Sequence, residues 1–199
     1  MARRKDHTPE ELKGLLLQAA EKIVYSKGMG KLTARALAAA VGYTPGTIYN
    51  VYKDMDDLIL DINYATLGRL QDYCREKMRA TPADFSRIRA LAYAYVDFAR
   101  ENIRAWETIF AHTRKRGGKP RLPKHYQQRL GDIFRLIEDA LQECLGMQAD
   151  IAGPTARLVW ASLHGITVLT LDGSLGLIGV DDPHPMIDDL LRRCLVGGA

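Results

Sequence analysis

Between positions 44 and 53 the sequence TPGTIYNVYK carries the side chains with the most distinctive hydrogen-bonding pattern in the chain. At about 100° per residue, a helix over this stretch puts Ile48, Val51 and Tyr52 on one side. Gly46, Thr47 and Asn50 fall opposite, and Tyr49 leans the same way. That outer side has a bared backbone, a hydroxyl, an amide and a phenol, and no charge pairs to solvate it. Such groups hydrogen-bond or make van der Waals contact with base edges and phosphates. The alternative is a plain helical corner inside a core, which the same residues also allow.

A helix this short is unstable alone, so its neighbours must hold it. Thr33 is a hydroxyl cap for a preceding helix of barely two turns, and Gly42 ends that helix in the left-handed conformation that glycine adopts without strain. Thr44 followed by Pro45 starts the next helix, and Leu37 and Val41 are the surface on which Ile48 can pack. The corner VGYT then makes a helix-turn-helix. In that motif the second helix enters the major groove by its N-terminal end, which puts Thr44, Pro45 and Gly46 nearest to DNA. Amides near Thr33 and Asp54 are placed to face phosphates.

Charge agrees with this. Residues 1–53 hold nine Lys/Arg, Arg35 and Lys53 among them, against four Asp/Glu, while the other 146 residues hold 19 basic and 20 acidic groups. The excess positive charge of the +4 chain therefore sits in its first quarter, the mark of a polyanion as partner of that quarter alone.

Helix signals run through the rest of the 199 residues. TPEE (Thr8 to Glu11) is a capping box with proline at the first helical position. Leu12, Leu15, Leu16, Ala19, Ala20, Ile23 and Val24 follow at helical period until SKGMG. Asp54 starts a long fourth helix to about Ala80, and helices are expected over Pro82–Arg100, Asn102–His112, Lys124–Leu145, Pro154–Leu171 and Met186–Val196. TRKRGGKPRLP is expected to be a loop, and DGSLGLIGVDDPHP a long turn. No strand alternation competes. The expected fold is all-α: an N-terminal three-helix DNA-binding domain over residues 1–55, joined by the long fourth helix to a helical-bundle domain over 56–199.

No apolar run reaches the roughly 18 residues of a membrane span. The basic MARRK is followed by a polar stretch, so no signal peptide is expected. Cys74, Cys144 and Cys194 form no CxxC pair, against a disulfide framework or thiolate zinc site and for a reducing cytoplasm. DDPHP (Asp181 to Pro185) offers carboxylates and an imidazole, but its prolines favour a surface turn over a metal site. The chain shows no GxSxG, HExxH or glycine-rich phosphate loop.

The run LTARALAAAVGYTPGTIYNVYKDMDDLI resembles the DNA-binding domain of the TetR family of transcriptional regulators, over residues 9–60. Residue by residue, the resemblance implies Thr33, Thr44, Gly46, Thr47, Tyr49 and Lys53 as DNA contacts. Tyr52 stands where the family usually has a core Phe. Met55 stands where the family commonly has a Lys, a phosphate anchor that Lys53 would replace. WASLHG (Trp160 to Gly165) is similar to the Trp-x-x-x-His-Gly signature of one subgroup of TetR C-terminal domains.

The resemblance further implies a homodimer built on the last two helices, and middle helices enclosing an effector pocket. For the dimer face, Val159, Ser162, Ile166 and Thr170 lie along one side of the penultimate helix, and Ile187, Leu190, Leu191, Cys194 and Leu195 form a stripe on the last. Both stripes could equally be core. For the pocket, Tyr95, Phe98, Trp106, Phe110, Tyr126, Phe134 and Trp160 concentrate in the middle helices with His112, His125 and His164. Aromatics at helical spacing serve as core as readily as pocket, and His164 as a satisfied core histidine. No acid or base dominates, so an apolar or aromatic effector is expected over a charged one.

The function expected is a ligand-responsive regulator, a repressor without catalysis or cofactor, binding double-stranded operator DNA as a homodimer and a small-molecule effector, with no membrane partner. The alternatives are a small-molecule-processing enzyme with an accessory helical domain and an effector-independent DNA-binding regulator.

Overall fold

The computed structural model describes residues 7–115 and 122–197, with side chains for all of these except 111–115 and 197. Every regular element among them is helical, as the sequence pattern requires. The basic residues Arg3, Arg4 and Lys5, and positions 116–121 of the expected basic loop, lie outside the described residues. Thr113 to Lys115, expected at the start of that loop, belong to a helix.

The chain divides into two compact units. The first comprises residues 1–66 and 104–121, the second 67–103 and 122–199. Packing thus divides the chain inside its fourth helix and takes the sixth into the first unit, whereas the boundary expected for function lay at residues 55/56.

The first unit holds α1 (Pro9–Lys27), α2 (Ala34–Val41), α3 (Pro45–Tyr49), the start of α4 (Met55–Arg79) and most of α6 (Ile103–Lys115). Local chemistry sets its helix ends. Thr8 and Glu11 form the reciprocal capping box: the Thr8 amide donates to Glu11 Oε2 at 2.7 Å and the Glu11 amide to Thr8 Oγ1 at 3.3 Å. Thr33 Oγ1 accepts from the Ala36 amide at 3.1 Å, and Asp54 Oδ1 from the Asp57 amide at 2.8 Å. Gly42 closes α2 at φ 74°. A side chain there would be strained, which explains glycine at the corner. Leu16, Ala20, Val24, Leu37, Ala38, Ile48, Tyr52, Leu58 and Ile62 form one core, none more than 1% exposed. Each of the larger aliphatic groups contributes about 1.5–3 kcal/mol by burial, which is what keeps the five-residue α3 helical.

The second unit is a bundle of the rest of α4 with α5 (Phe85–Glu101), α7 (Lys124–Leu145), α8 (Ala149–Leu171), the single turn α9 (Ser174–Leu177) and α10 (His184–Arg192), which continues as a π-helical turn, Arg193–Gly197. Three helix starts differ from the expected ones. Asp84, rather than Thr81, caps α5, accepting from the Ser86 amide at 2.7 Å. α8 starts at Ala149, and Pro154 lies inside it on an exposed position, where losing one helical hydrogen bond is tolerable. α10 begins two residues early, at His184. Polar links tie the bundle together: Arg157 to Glu138 (α8 to α7, 2.9 Å), Arg87 to Glu143 (α5 to α7, 2.9 Å), and the Tyr93 hydroxyl donating to Asp188 (α5 to α10, 2.8 Å).

Candidate nucleic-acid interface and inner cavity

On α3, the inward side is Ile48, fully buried, with Tyr52 just beyond the helix at 1% exposure. The opposite side is open. Thr44, Pro45, Gly46 and Asn50 are exposed, Thr47 is half-buried, and Tyr49 is 51% exposed although it is an aromatic. The Thr44 side chain makes no capping bond to the helix. Its hydroxyl lies 3.1 Å from that of Thr47, so the two hydroxyls form one polar edge at the entry to α3.

Gly46 is informative because nothing inside the protein requires it. Its φ is not in the left-handed region. A Cβ built there would meet Thr44 Oγ1 at 3.8 Å and no other atom within 4 Å, an ordinary van der Waals contact. The missing side chain bares backbone to the outside of the molecule.

Thr33, Arg35 and Lys53 are exposed on the same unit. Neither cation pairs with a carboxylate among the described residues, so both charges are available to an external anion. The Asp54 end is less suited to phosphate than the sequence suggested. Its first turn carries Asp56 and Asp57, and Asp57 Oδ2 accepts from the Lys53 amide at 3.4 Å. The Lys53 amide thus already has an anionic partner within the chain.

The second unit encloses a cavity of about 40 Å³, walled by α4, α5, α7, α8 and α10. Of the seven residues expected to line a pocket, Tyr95 and Trp160 do so. His164 stands directly behind them: its Nδ1 lies 3.2 Å from the Tyr95 hydroxyl, and its ring stacks on Trp160 at 12° and 5.4 Å. Burial pushes the Tyr95 phenol well above its ordinary pKa, so it remains a neutral hydroxyl. Phe134 packs edge-on against Trp160 at 5.4 Å.

The other four do not line this cavity. Phe98 and Tyr126 are core residues at 4% exposure; Phe98 packs edge-on against Tyr73, and burial pushes the Tyr126 phenol up to about 12. Trp106 and Phe110 pack on each other at 5.1 Å within the first unit. The His112 side chain lies outside the described residues. Most of the wall is aliphatic: Leu70, Ile88, Leu91, Ile133, Ile137 and Leu163. Gln71 and Cys74 also reach it, and burial pushes the Cys74 thiol up to about 12. None of these was identifiable from sequence, because aliphatic residues at helical spacing mark core and cavity wall alike.

The expected dimer face needs correction at three positions. Val159 is 3% exposed and lines the cavity, and Ile187 and Leu191 are fully buried in the single chain, Leu191 also on the cavity wall. They are already packed and cannot meet a partner. Ser162, Ile166, Thr170, Leu190 and Cys194 are half-buried. The open side of α8 is one residue round the helix, at Leu158 (58% exposed), Ala161, Gly165 and Leu169 (43%).

At the DDPHP turn, His184 Nδ1 lies 2.7 Å from Asp182 Oδ1 and Nε2 3.3 Å from Asp97 Oδ1. The His184 backbone amide, more than its ring, holds the Asp182 carboxyl below its ordinary range. Among the described residues no cluster of His, Cys, Asp and Glu suits a metal, and no helix is long and apolar enough to cross a membrane.

Comparison with known proteins agrees with this division of labour. Residues 16–62 match the model of bacterial regulatory proteins of the tetR family, and residues 88–194 that of the tetracyclin repressor-like C-terminal domain. The HTH-type transcriptional regulator BetI of Brucella suis biovar 1 (strain 1330) is 26% identical over 118 residues, covering 58% of this chain and 60% of that protein. The match thus spans less than two thirds of this curated relative. A solved protein of unknown function from Rhodococcus sp. RHA1 superposes with a TM-score of 0.75 at 18% identity, over 98% of both chains. The multidrug binding protein EbrR, solved with imidazole, gives 0.65 at 16% identity, over 95% of this chain and 97% of that one. At such identities the two structures speak for the fold.

Proposed function

The chain belongs to the tetR family of bacterial regulatory proteins, as a transcriptional regulator with a helix-turn-helix DNA-binding domain, and from that premise we propose that it is a ligand-responsive repressor. It holds a near-palindromic operator as a homodimer in the cytoplasm and releases it when a small apolar or aromatic molecule fills the second unit's cavity. In function, residues 1–55 read DNA and 56–199 bind effector and partner.

The observation that carries the DNA reading is the outer side of α3: exposed, uncharged, polar and bared at Gly46 with no internal reason for the glycine. Thr44, Pro45, Gly46, Thr47, Tyr49 and Asn50 face the major groove. Thr33, Arg35 and Lys53 take phosphates. Two copies related by a two-fold axis set their recognition helices about 34–36 Å, or a multiple of that, apart. The partner is met by Ser162, Ile166, Thr170, Leu190 and Cys194 together with the open ridge of Leu158, Ala161, Gly165 and Leu169.

The protein works without catalysis or cofactor. The described cavity wall offers no carboxylate or imidazole, and the neutral Cys74 thiol is a poor nucleophile. Response to effector travels through α4, one continuous helix that supplies Leu58 and Ile62 to the first unit's core and Leu70, Gln71 and Cys74 to the cavity wall. Within the first unit α6 is fastened to α4 by Asn63 Nδ2 donating to the Thr108 carbonyl at 3.2 Å, and to the end of α1 by Arg104 donating to the Tyr25 and Ser26 carbonyls. Displacement of α6 therefore presses on α4. To turn operator occupancy from nearly full to nearly empty, the effector must prefer the released form by roughly 5 kcal/mol.

The test is an electrophoretic shift with DNA flanking the protein's own gene, with and without candidate ligands. Tyr49→Ala and Thr47→Ala are expected to abolish specific binding and leave the fold intact. Specific affinity retained in both variants overturns α3 as the reader.

A further inference from the structure

Among the described residues that line the cavity, Gln71 is the one with a buried polar atom that lacks a hydrogen-bond partner. Gln71 is 2% exposed and lines the cavity. Its Oε1 accepts from Arg129 Nη1 at 3.1 Å. A guanidinium only donates, so this bond fixes which way round the amide sits and leaves the NH₂ on the other arm. That Nε2 has no partner and is shielded from solvent. A buried donor without an acceptor is costly, and one that persists marks a place for a missing partner.

Three features narrow that partner. Water is poorly suited, since a buried water needs two to four polar neighbours and the surrounding wall is formed by Leu70, Ile88, Leu91, Ile137 and other apolar groups. A cation finds no carboxylate there, and desolvating it without one is prohibitive. The Tyr95 hydroxyl is already engaged with His164. The amide is also polarised, because donation from Arg129 into its oxygen strengthens its N–H as a donor.

We infer that Gln71 is the specificity-determining donor of the effector site, and that the effector is an uncharged, mainly hydrocarbon molecule with one hydrogen-bond acceptor, such as a ketone, ester or amide carbonyl, seated against Gln71 Nε2. This rests on the cavity being the effector site. It adds which molecules the site accepts: those with an acceptor over those of the same shape without one. The ligand-free space of about 40 Å³ is smaller than such molecules, so the helices around it part on binding.

The test is calorimetric titration of the full chain with two matched pairs of probes: cyclopentanone against methylcyclopentane, and acetophenone against isopropylbenzene. Within a pair the heavy-atom count is the same and the carbonyl differs. The quantity read is the ketone-to-hydrocarbon affinity ratio in the parent, Q71L and Q71E. Comparing ratios between proteins cancels the different hydration of the probes. Q71E keeps an acceptor for Arg129, whose guanidinium balances the added charge, and replaces the NH₂ donor by an acceptor oxygen, so it carries the test if Q71L folds poorly. In both variants the ratio is expected to fall about 10-fold, the equivalent of one hydrogen bond. A ratio unchanged within about 2-fold in Q71E overturns the inference, as does binding of neither member of either pair to the parent. A ketone preference that depends on Gln71 without any effect of ketones on DNA affinity would sustain the inference and refute the repressor mechanism. DNA release by ketone and hydrocarbon alike would do the reverse.

Discussion

Gly46→Ala separates folding from DNA reading in one substitution. The new methyl would touch Thr44 Oγ1 at 3.8 Å and otherwise stand in open space, on a backbone that any residue accommodates. Position 46 follows Pro45 in the first turn of α3. Replacing glycine there narrows the unfolded ensemble at no native cost, so stability should rise by about 0.5 kcal/mol. For a chain of this size that is a gain of roughly 1–2 °C in midpoint, readable by circular dichroism at the helix band. With α3 docked in the major groove as proposed, the methyl would occupy the space through which the backbone approaches the bases. Losing one well-fitted groove contact costs about 1–3 kcal/mol, so operator affinity should fall at least about 10-fold in fluorescence anisotropy. No charge changes, so the slope of log affinity against log salt should stay as in the parent. An alanine variant that binds its operator as tightly as the parent refutes the placement of α3 in the groove. One that unfolds several degrees early refutes the claim that the glycine has no internal purpose.

Two further outcomes follow from the geometry. Leu158→Asp, on a 58% exposed position, should change unfolding free energy by less than about 0.5 kcal/mol while shifting sedimentation from dimer to monomer; an undisturbed dimer removes this ridge of α8 from the interface. The Glu11 carboxyl is held below its ordinary value first by the Thr8 amide and then by its hydroxyl. A lowered folded-state pKa gives stability that is present above the unfolded value and lost as pH falls through the folded one. Glu11→Gln should therefore flatten the acid limb of a stability–pH profile below about pH 4.5, and an unaltered limb would show that the capping box contributes nothing there.

The parts of the fold legible in sequence were those set by neighbours along the chain. The Thr8 and Thr33 caps, Gly42 and Pro45 act within four residues of themselves, and the packing of Ile48 against α2 follows from helical period alone. Legibility failed where a position depends on several helices at once. α8 is apolar nearly all the way round, so periodicity could not decide whether Val159 or Leu158 looks inward. Trp106 and Phe110 have the chemistry of a ligand site, yet their helix packs in the first unit. Gln71 went unnoticed because one amide in an amphipathic helix carries no local sign that Arg129, 58 residues later, will orient it.

α4 runs unbroken from Met55 to Arg79 through the division at Thr66, so at that crossing the chain passes from one unit to the other as helix. Grafting a foreign sensor onto this reader means splicing one helix into another in phase. A single inserted residue swings every later side chain by about 100° and advances it about 1.5 Å, turning Leu70 and Gln71 away from the wall they now form. Such a seam tolerates swaps of four or seven residues far better than of one or two, a constraint on how proteins of this architecture can trade modules.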